Sequence, residues 1–177
     1  MRCIALISLG AAIIACGGER PADRDPGGDK SGEVADLSLD FGRLTEHQLG
    51  LGELRLGMTQ AEAIETLGQP DSTSVYFDSE IVGDSVWTLR YGSLRADVYG
   101  KYGIQQVICL DRGCATSAGL GVGSTKTQVE SLYGRGFPST DPKRPFLQYE
   151  ASGRDCGLTF TLEADTVSSV VLWCDWS

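Results

Sequence analysis

The chain has 177 residues, enough for one ordinary domain or two very small ones. Fifteen Lys and Arg against 24 Asp and Glu give a formal charge of −9, which argues against a broad basic nucleic-acid footprint. Twenty-three Gly and six Pro announce many turns, 41% hydrophobic residues suffice for a core, and the whole reads as an acidic, secreted or globular, non-catalytic chain with no cofactor.

Met1-Arg2 supplies a short positive start, and Ile4 to Ile14 is an apolar run of eleven residues. That is too short to span a hydrocarbon core, which takes about 20 helical residues, but it has the length and flank of a signal-peptide core. The run closes with Ile13-Ile14-Ala15-Cys16 followed by Gly17-Gly18. This resembles a bacterial lipobox, which implies removal of residues 1–15 and acylation of Cys16 at its sulfur and its new amino group. Two or three acyl chains, at about 0.8 kcal/mol per buried CH₂, make a lasting membrane anchor. The competing reading is an ordinary export signal with an incidental cysteine. Gly17 is not the aspartate that favours inner-membrane retention, so the expected address is the periplasm-facing outer membrane of a bacterial cell envelope.

Processing would also remove Arg2 and leave a charge of −10. Residues 16–50 are expected to be a flexible tether. Glu19 to Asp36 mixes charges with Pro21, Pro26, Gly27, Gly28 and Gly32 and holds almost no large apolar residue, so it cannot offset its ordering entropy. As a coil the tether would reach roughly 30 Å. The lone His47 falls in this approach and reads as a solvated loop histidine; with one imidazole there is no multi-histidine metal site.

A repeat follows, over residues 51–115 and 116–177. Leu56 to Gly68 aligns without a gap on Val122 to Gly134, at an offset of 66. Thr59-x-x-Glu62 and Thr125-x-x-Gln128 are both capping boxes. Gly68 and Gly134 stand where a helix ends on a left-handed residue, with Pro70 and Pro138 beyond to stop it. Each unit thus opens with a helix of two or three turns.

After each helix the hydrophobic period becomes two. Leu158, Phe160 and Leu162 alternate with polar or small neighbours, and a turn over Glu163 to Thr166 leads into Val167 to Cys174. Pairing Leu162 with Ser168 puts Phe160 opposite Val170, Leu158 opposite Leu172 and Cys156 opposite Cys174. In the first unit Leu94, Ala96 and Val98 pair with Cys109, Val107 and Gln105. Strands over Val86–Tyr91 and Phe146–Glu150 precede the two hairpins, with Tyr149 matching Tyr91. Beyond the leader the cysteines are Cys109, Cys114, Cys156 and Cys174, and four cysteines allow three connectivities. The register favours Cys156–Cys174, which leaves Cys109–Cys114 as the other bridge. The spacings hold no Cys-x-x-Cys pair to suggest zinc or thioredoxin-like chemistry.

The capped-helix opening, with Gly57, Met58, Thr59, Glu62, Leu67, Gly68 and Pro70, resembles the β-lactamase inhibitory protein repeat and the BamE (SmpA/OmlA)-type lipoprotein. Gly123, Thr125, Val129 and Gly134 carry the same pattern in the second unit, with Ser124 replacing methionine and Tyr133 replacing leucine. The resemblance covers roughly residues 52–174 and implies an α+β tandem repeat. In each unit a short helical segment precedes an antiparallel β-meander, with the helices packed on one face of the sheet. It carries over no contact residue.

No nucleophile elbow, phosphate loop or histidine triad is present. Asp78, Glu80 and Asp84 miss the calcium-loop pattern and read as a solvated acidic turn, as do Asp111 and Asp165. The expected function is a non-catalytic, lipid-anchored binding module for an envelope protein, either inhibitor-like or an accessory subunit of an envelope assembly. Ile108, Leu110, Val171 and Trp173, with Arg90 and Arg95 beside them, are the candidate partner contacts on the outer sheet face. The alternatives are a small envelope hydrolase or a small-ligand-binding protein using the cleft between the repeats. In a further reading, the same side chains pack on the tether, the other repeat or Trp176.

Overall fold

Two eight-residue helices are bounded by side chains already visible in the sequence. In a computed structural model that describes residues 41–79 and 83–175, α1 spans Gln60–Leu67 and α2 spans Lys126–Tyr133. The Thr59 N–H donates to Glu62 Oε2 at 2.7 Å, and the Glu62 N–H donates back to Thr59 Oγ1 at 3.2 Å. Thr125 and Gln128 repeat the arrangement at 2.8 and 3.2 Å. Gly68 and Gly134 end the helices at φ 83°, ψ −170° and φ 79°, ψ −166°. This is not the expected left-handed helical cap but a more extended conformation that only glycine adopts freely, and it turns the chain straight out of the helix.

The strands then follow in the same order in both halves. In the first, β4 (Ser72–Asp78), β5 (Asp84–Tyr91), β6 (Leu94–Tyr99) and β7 (Gly103–Cys109) form an antiparallel meander. In the second, β8 (Phe137–Pro138), β9 (Phe146–Ala151), β10 (Cys156–Glu163) and β11 (Thr166–Cys174) do the same. Three two-residue strands precede them: β1 (Arg43–Leu44), β2 (Gly50–Leu51) and β3 (Leu54–Arg55).

An α+β tandem repeat with helices packed on a meander is not what forms. The chain is mostly β, and both halves share one mixed nine-stranded sheet, ordered β1-β9-β10-β11-β7-β6-β5-β4 with β8 also on β9. The helices are too short to roof such a sheet, burying fully only Ala63 from α1 and Val129 and Tyr133 from α2. The inner face is closed as much by Leu44, Leu49, Leu51 and Leu54, which precede the first meander, and by Cys114 and Leu120 from the loop between the two.

The sheet is made continuous by β11 pairing antiparallel to β7, with Val170 opposite Cys109, Val171 opposite Ile108 and Leu172 opposite Val107. The cross-strand row Tyr149–Leu158–Leu172–Val107–Ala96–Leu89 therefore runs through both halves with every member fully buried. Tyr149 and Tyr133 meet at 5.4 Å between ring centroids and both pack on Phe160. Burial pushes both phenols up, that of Tyr149 far beyond its ordinary range, while its hydroxyl donates to the Gly134 carbonyl at 3.0 Å.

Two registers differ from those read off the sequence. Leu162 faces Val167 instead of Ser168, and Val98 faces Ile104 instead of Gln105. Both differences are β-bulges at the same place in the repeat. Ile104 and Val107, like Val167 and Val170, are buried on one face although three residues apart, so one residue between them must be looped out. The tight β10–β11 turn, with Ala164 and Asp165 at φ 47° and 62°, sets the register from which the second bulge follows.

Residues 41–50, expected as the end of the tether, belong to the fold. Within residues 41–50, Leu44 and Leu49 are buried, and β1 lies parallel to β9 at Glu150–Ala151. Gly42 runs so close to α2 that a Cβ there would lie 1.6 Å from the Tyr133 carbonyl oxygen. Cys16 and the rest of the leader and tether lie outside the described residues, as do Glu80 and Trp176.

The hydrogen bonds from Thr59 hold the Glu62 carboxyl below its ordinary value. A depressed carboxylate stabilises the fold above the unfolded pKa and releases that stability as pH falls through the folded one. Below about pH 4.5, the ordinary glutamate value, α1 should therefore fray before α2, whose box uses the uncharged Gln128. Amide hydrogen exchange across pH 3–6 checks this. Replacing Glu62 with Gln should abolish the difference between the helices, and a variant in which α1 still frays before α2 on acidification would refute the assignment.

Candidate functional site

The outer sheet face carries the candidate partner contacts, and strand register groups them. Gln148, Thr159, Val171, Ile108, Arg95, Arg90 and Ser72 form one cross-strand row. The neighbouring row is Glu150, Gly157, Trp173, Gln106, Asp97, Thr88 and Ser74. Val171 and Ile108 face each other at the centre, where the two halves join. Offsets of 63 residues relate Val107 to Val170 and Cys109 to Leu172, so an approximate internal two-fold axis passes through the Ile108–Val171 pair. Leu110 follows directly after β7 and is 60% exposed.

Trp173 is half-buried and held in place. Its indole N–H donates to Thr159 Oγ1 at 3.0 Å, and the ring lies over Gly157, where a Cβ would come 3.0 Å from Cζ2. The same Cβ would meet the Tyr149 carbonyl oxygen at 2.2 Å, so only glycine fits between β9 and the ring. Sequence pattern placed Trp173 on this face but missed Gly157, whose signal is a glycine directly opposite a tryptophan across a hairpin.

The two arginines differ. Arg95 is committed within the sheet, with its Nε 3.1 Å from both Asp97 carboxylate oxygens and Nη2 also paired to Asp97. Thr88 donates a further hydrogen bond to Asp97 Oδ1 at 2.7 Å, and both Thr88 and Asp97 are buried. The Asp97 hydrogen bonds push the Arg95 guanidinium pKa up, fixing its charge. Arg90 is exposed in the same row. The centre of the face is thus half-buried and apolar, with a locked ion pair on one side and an accessible cation beyond it.

Other candidates fall out differently. Cys109–Cys114 and Cys156–Cys174 are disulfide-bonded, with Cα atoms 6.3 and 4.0 Å apart. Asp111 approaches the first pair closely enough to suggest a metal cluster, but both thiolates are spent in the bridge, which also removes free-thiol chemistry there. Asp84 accepts from the Ser85 and Lys101 N–H groups at 2.7 and 2.6 Å, the role of a turn carboxylate. His47 is exposed on a single 3₁₀ turn, lining a shallow polar hollow with Arg55, Arg154 and Glu46. An apolar cleft of about 450 Å³ opens under α1, walled by Ile64, Trp87, Val98 and Tyr99. It lies within the first half rather than between the repeats, and its described lining contains no carboxylate, imidazole or thiol.

No protein-family model matches the chain, and no curated protein matches it. Among solved structures it is similar to an extracellular protein containing an SCP domain from Bacillus anthracis, at 8% identity and a TM-score of 0.46. It covers 68% of this chain and 44% of that one, so this chain spans less than half of that protein's length. A DUF4309 family protein from Bacillus subtilis matches at 14% identity and a TM-score of 0.40, over 66% of this chain and 78% of that one.

Gly157→Ala should cost about 1–3 kcal/mol, because the added methyl must part β9 from β10 or lift Trp173. Chemical denaturation measures the loss. A variant as stable as the parent would show that strand and ring have room to spare.

Proposed function

We propose that this chain is a non-catalytic binding module that presents its outer sheet face to a protein partner at the cell envelope. Two disulfides mark a chain of an oxidising compartment, hence a secreted or envelope protein. No helix of the described residues is long and apolar enough to cross a membrane. An acylated Cys16 would supply the attachment, with the tether setting the reach, and the outer membrane is the address that Gly17 favours. The observation that carries the reading is the pinned, half-buried Trp173 beside the half-buried Ile108–Val171 pair at the centre of the outer face.

The physics suits a binding surface. An aromatic side chain already fixed by Thr159 and Gly157 loses little rotamer entropy when a partner covers it. The polar residues nearest it, Thr159, Gln106 and Gln148, are half-buried, as a rim would be. Arg95 contributes shape and a fixed charge, and Arg90 is the cation free to meet an acidic group. The capped-helix resemblance to inhibitor and assembly lipoproteins agrees with a binding role, without naming the partner.

Cross-linked capture from native envelopes tests this. Trp173→Ala and Val171→Asp should each lower recovery of a captured partner at least about tenfold, the cost of losing a buried anchor. Glu65→Ala, at an exposed position on α1, should leave recovery unchanged. Unchanged capture by both face variants, with their folding intact, would overturn the reading. Intact-mass spectrometry separately checks the anchor: loss of residues 1–15, added acyl chains and a gain of two hydrogens per disulfide on reduction. An unacylated full-length mass would remove the membrane attachment.

A further inference from the structure

The two halves end their shared sheet in opposite ways. β8 is the second-half counterpart of β4: Phe137 and Pro138 pair with Gln148 and Leu147 as Ser72 and Thr73 pair with Arg90 and Leu89. In the second half Pro138 ends the strand after two residues, and β1 takes over the remaining edge of β9 at Glu150–Ala151. Proline and short covering strands are how sheets blunt their edges. In the first half the strand instead runs on for seven residues, Ser72 to Asp78, with β5 as its single partner strand among the described residues. It contains no lysine, arginine or proline, and Val75, Tyr76 and Phe77 are 60%, 51% and 66% exposed.

We propose that β4 is a self-association edge, pairing antiparallel with β4 of a second copy about a two-fold axis at Val75. A second copy is favoured over other strands because the sequence complements itself. Centring on Val75, the midpoint of the strand, pairs all seven residues. Val75 meets Val75, Thr73 meets Phe77, Ser74 meets Tyr76, and Ser72 meets Asp78 of the second copy. Pairs two residues apart stay on one face, so Val75, Thr73 and Phe77 share the inner side and Tyr76 and Ser74 the outer. No like charges face each other. Asp78 of the second copy falls into the row of Ser72 and Arg90, where the small serine lets the exposed arginine stretch across. The outward N–H and C=O groups of the edge gain partners, and three exposed apolar side chains gain neighbours. Because the axis is perpendicular to the sheet, both outer faces lie on the same side of the dimer.

Sedimentation equilibrium of the purified chain over about 1–100 μM should give twice the monomer mass at the upper end. Val75→Lys sets two ammonium groups opposite each other at an exposed position, and should raise the dissociation constant more than about tenfold. Val75→Cys should give a peptide linked through residue 75 on mild oxidation. Phe77→Cys should give no such self-link, since residues 77 lie four positions out of step. A monomer throughout with no 75–75 link overturns the proposal. So does a dimer indifferent to Val75→Lys, or one in which residue 77 links to itself and residue 75 does not.

Discussion

The pairing of β7 with β11 is the constraint on which the rest depends. Each meander alone would leave the apolar side chains of its terminal strand, β7 or β11, at an open sheet edge. Joined at Cys109–Val170 and Val107–Leu172, the two faces become one row of fully buried side chains from Tyr149 to Leu89. The helices need only close parts of that surface, which is why two helices of eight residues suffice. The disulfides sit close to the same seam: Cys109 is in the junction itself, and Cys174 is the last residue of β11.

The junction also creates the outer face. The pair at its centre, Ile108 and Val171, is the one cross-strand pair that the internal two-fold relates to itself, so whatever it carries is doubled at one point. Trp173 breaks the symmetry. Its counterpart by the 63-residue offset is Leu110, which has already left β7 for the loop closed by Cys109–Cys114. One side of the centre thus has a fixed aromatic and the other an exposed aliphatic side chain beside a turn. An otherwise two-fold sheet thereby acquires a direction.

The same duplication explains the unequal edges. A repeated strand at both ends of a sheet would leave two sites open for pairing, and an exposed edge is a template for whatever strand arrives. Pro138 and β1 protect the second-half edge, using a stretch of chain that precedes the first repeat. The first-half edge has no such cover from any described residue, and Val75, Tyr76 and Phe77 stand exposed along it.

Much of this was legible in the chain. Capping boxes at Thr59 and Thr125 are local, three-residue chemistry, and both form as read. Alternation over Leu158 to Leu162 and Val170 to Cys174 set the face of each residue and brought Cys156 opposite Cys174, because a strand's period is fixed by its backbone. Other features needed contacts far apart in sequence. The bulges depend on two buried residues demanding one face, the folding of residues 41–50 on a gap beside α2 and β9, and Gly157 on a ring seventeen positions nearer the C-terminus than its neighbour Cys156. The largest correction, one mostly-β sheet in place of two α+β units, has the same cause. Sequence determined which elements form and which way their side chains point, since those follow from local propensity and periodicity. Only the tertiary structure decided which strand lies beside which, because that choice is made by the apolar area each arrangement removes from water.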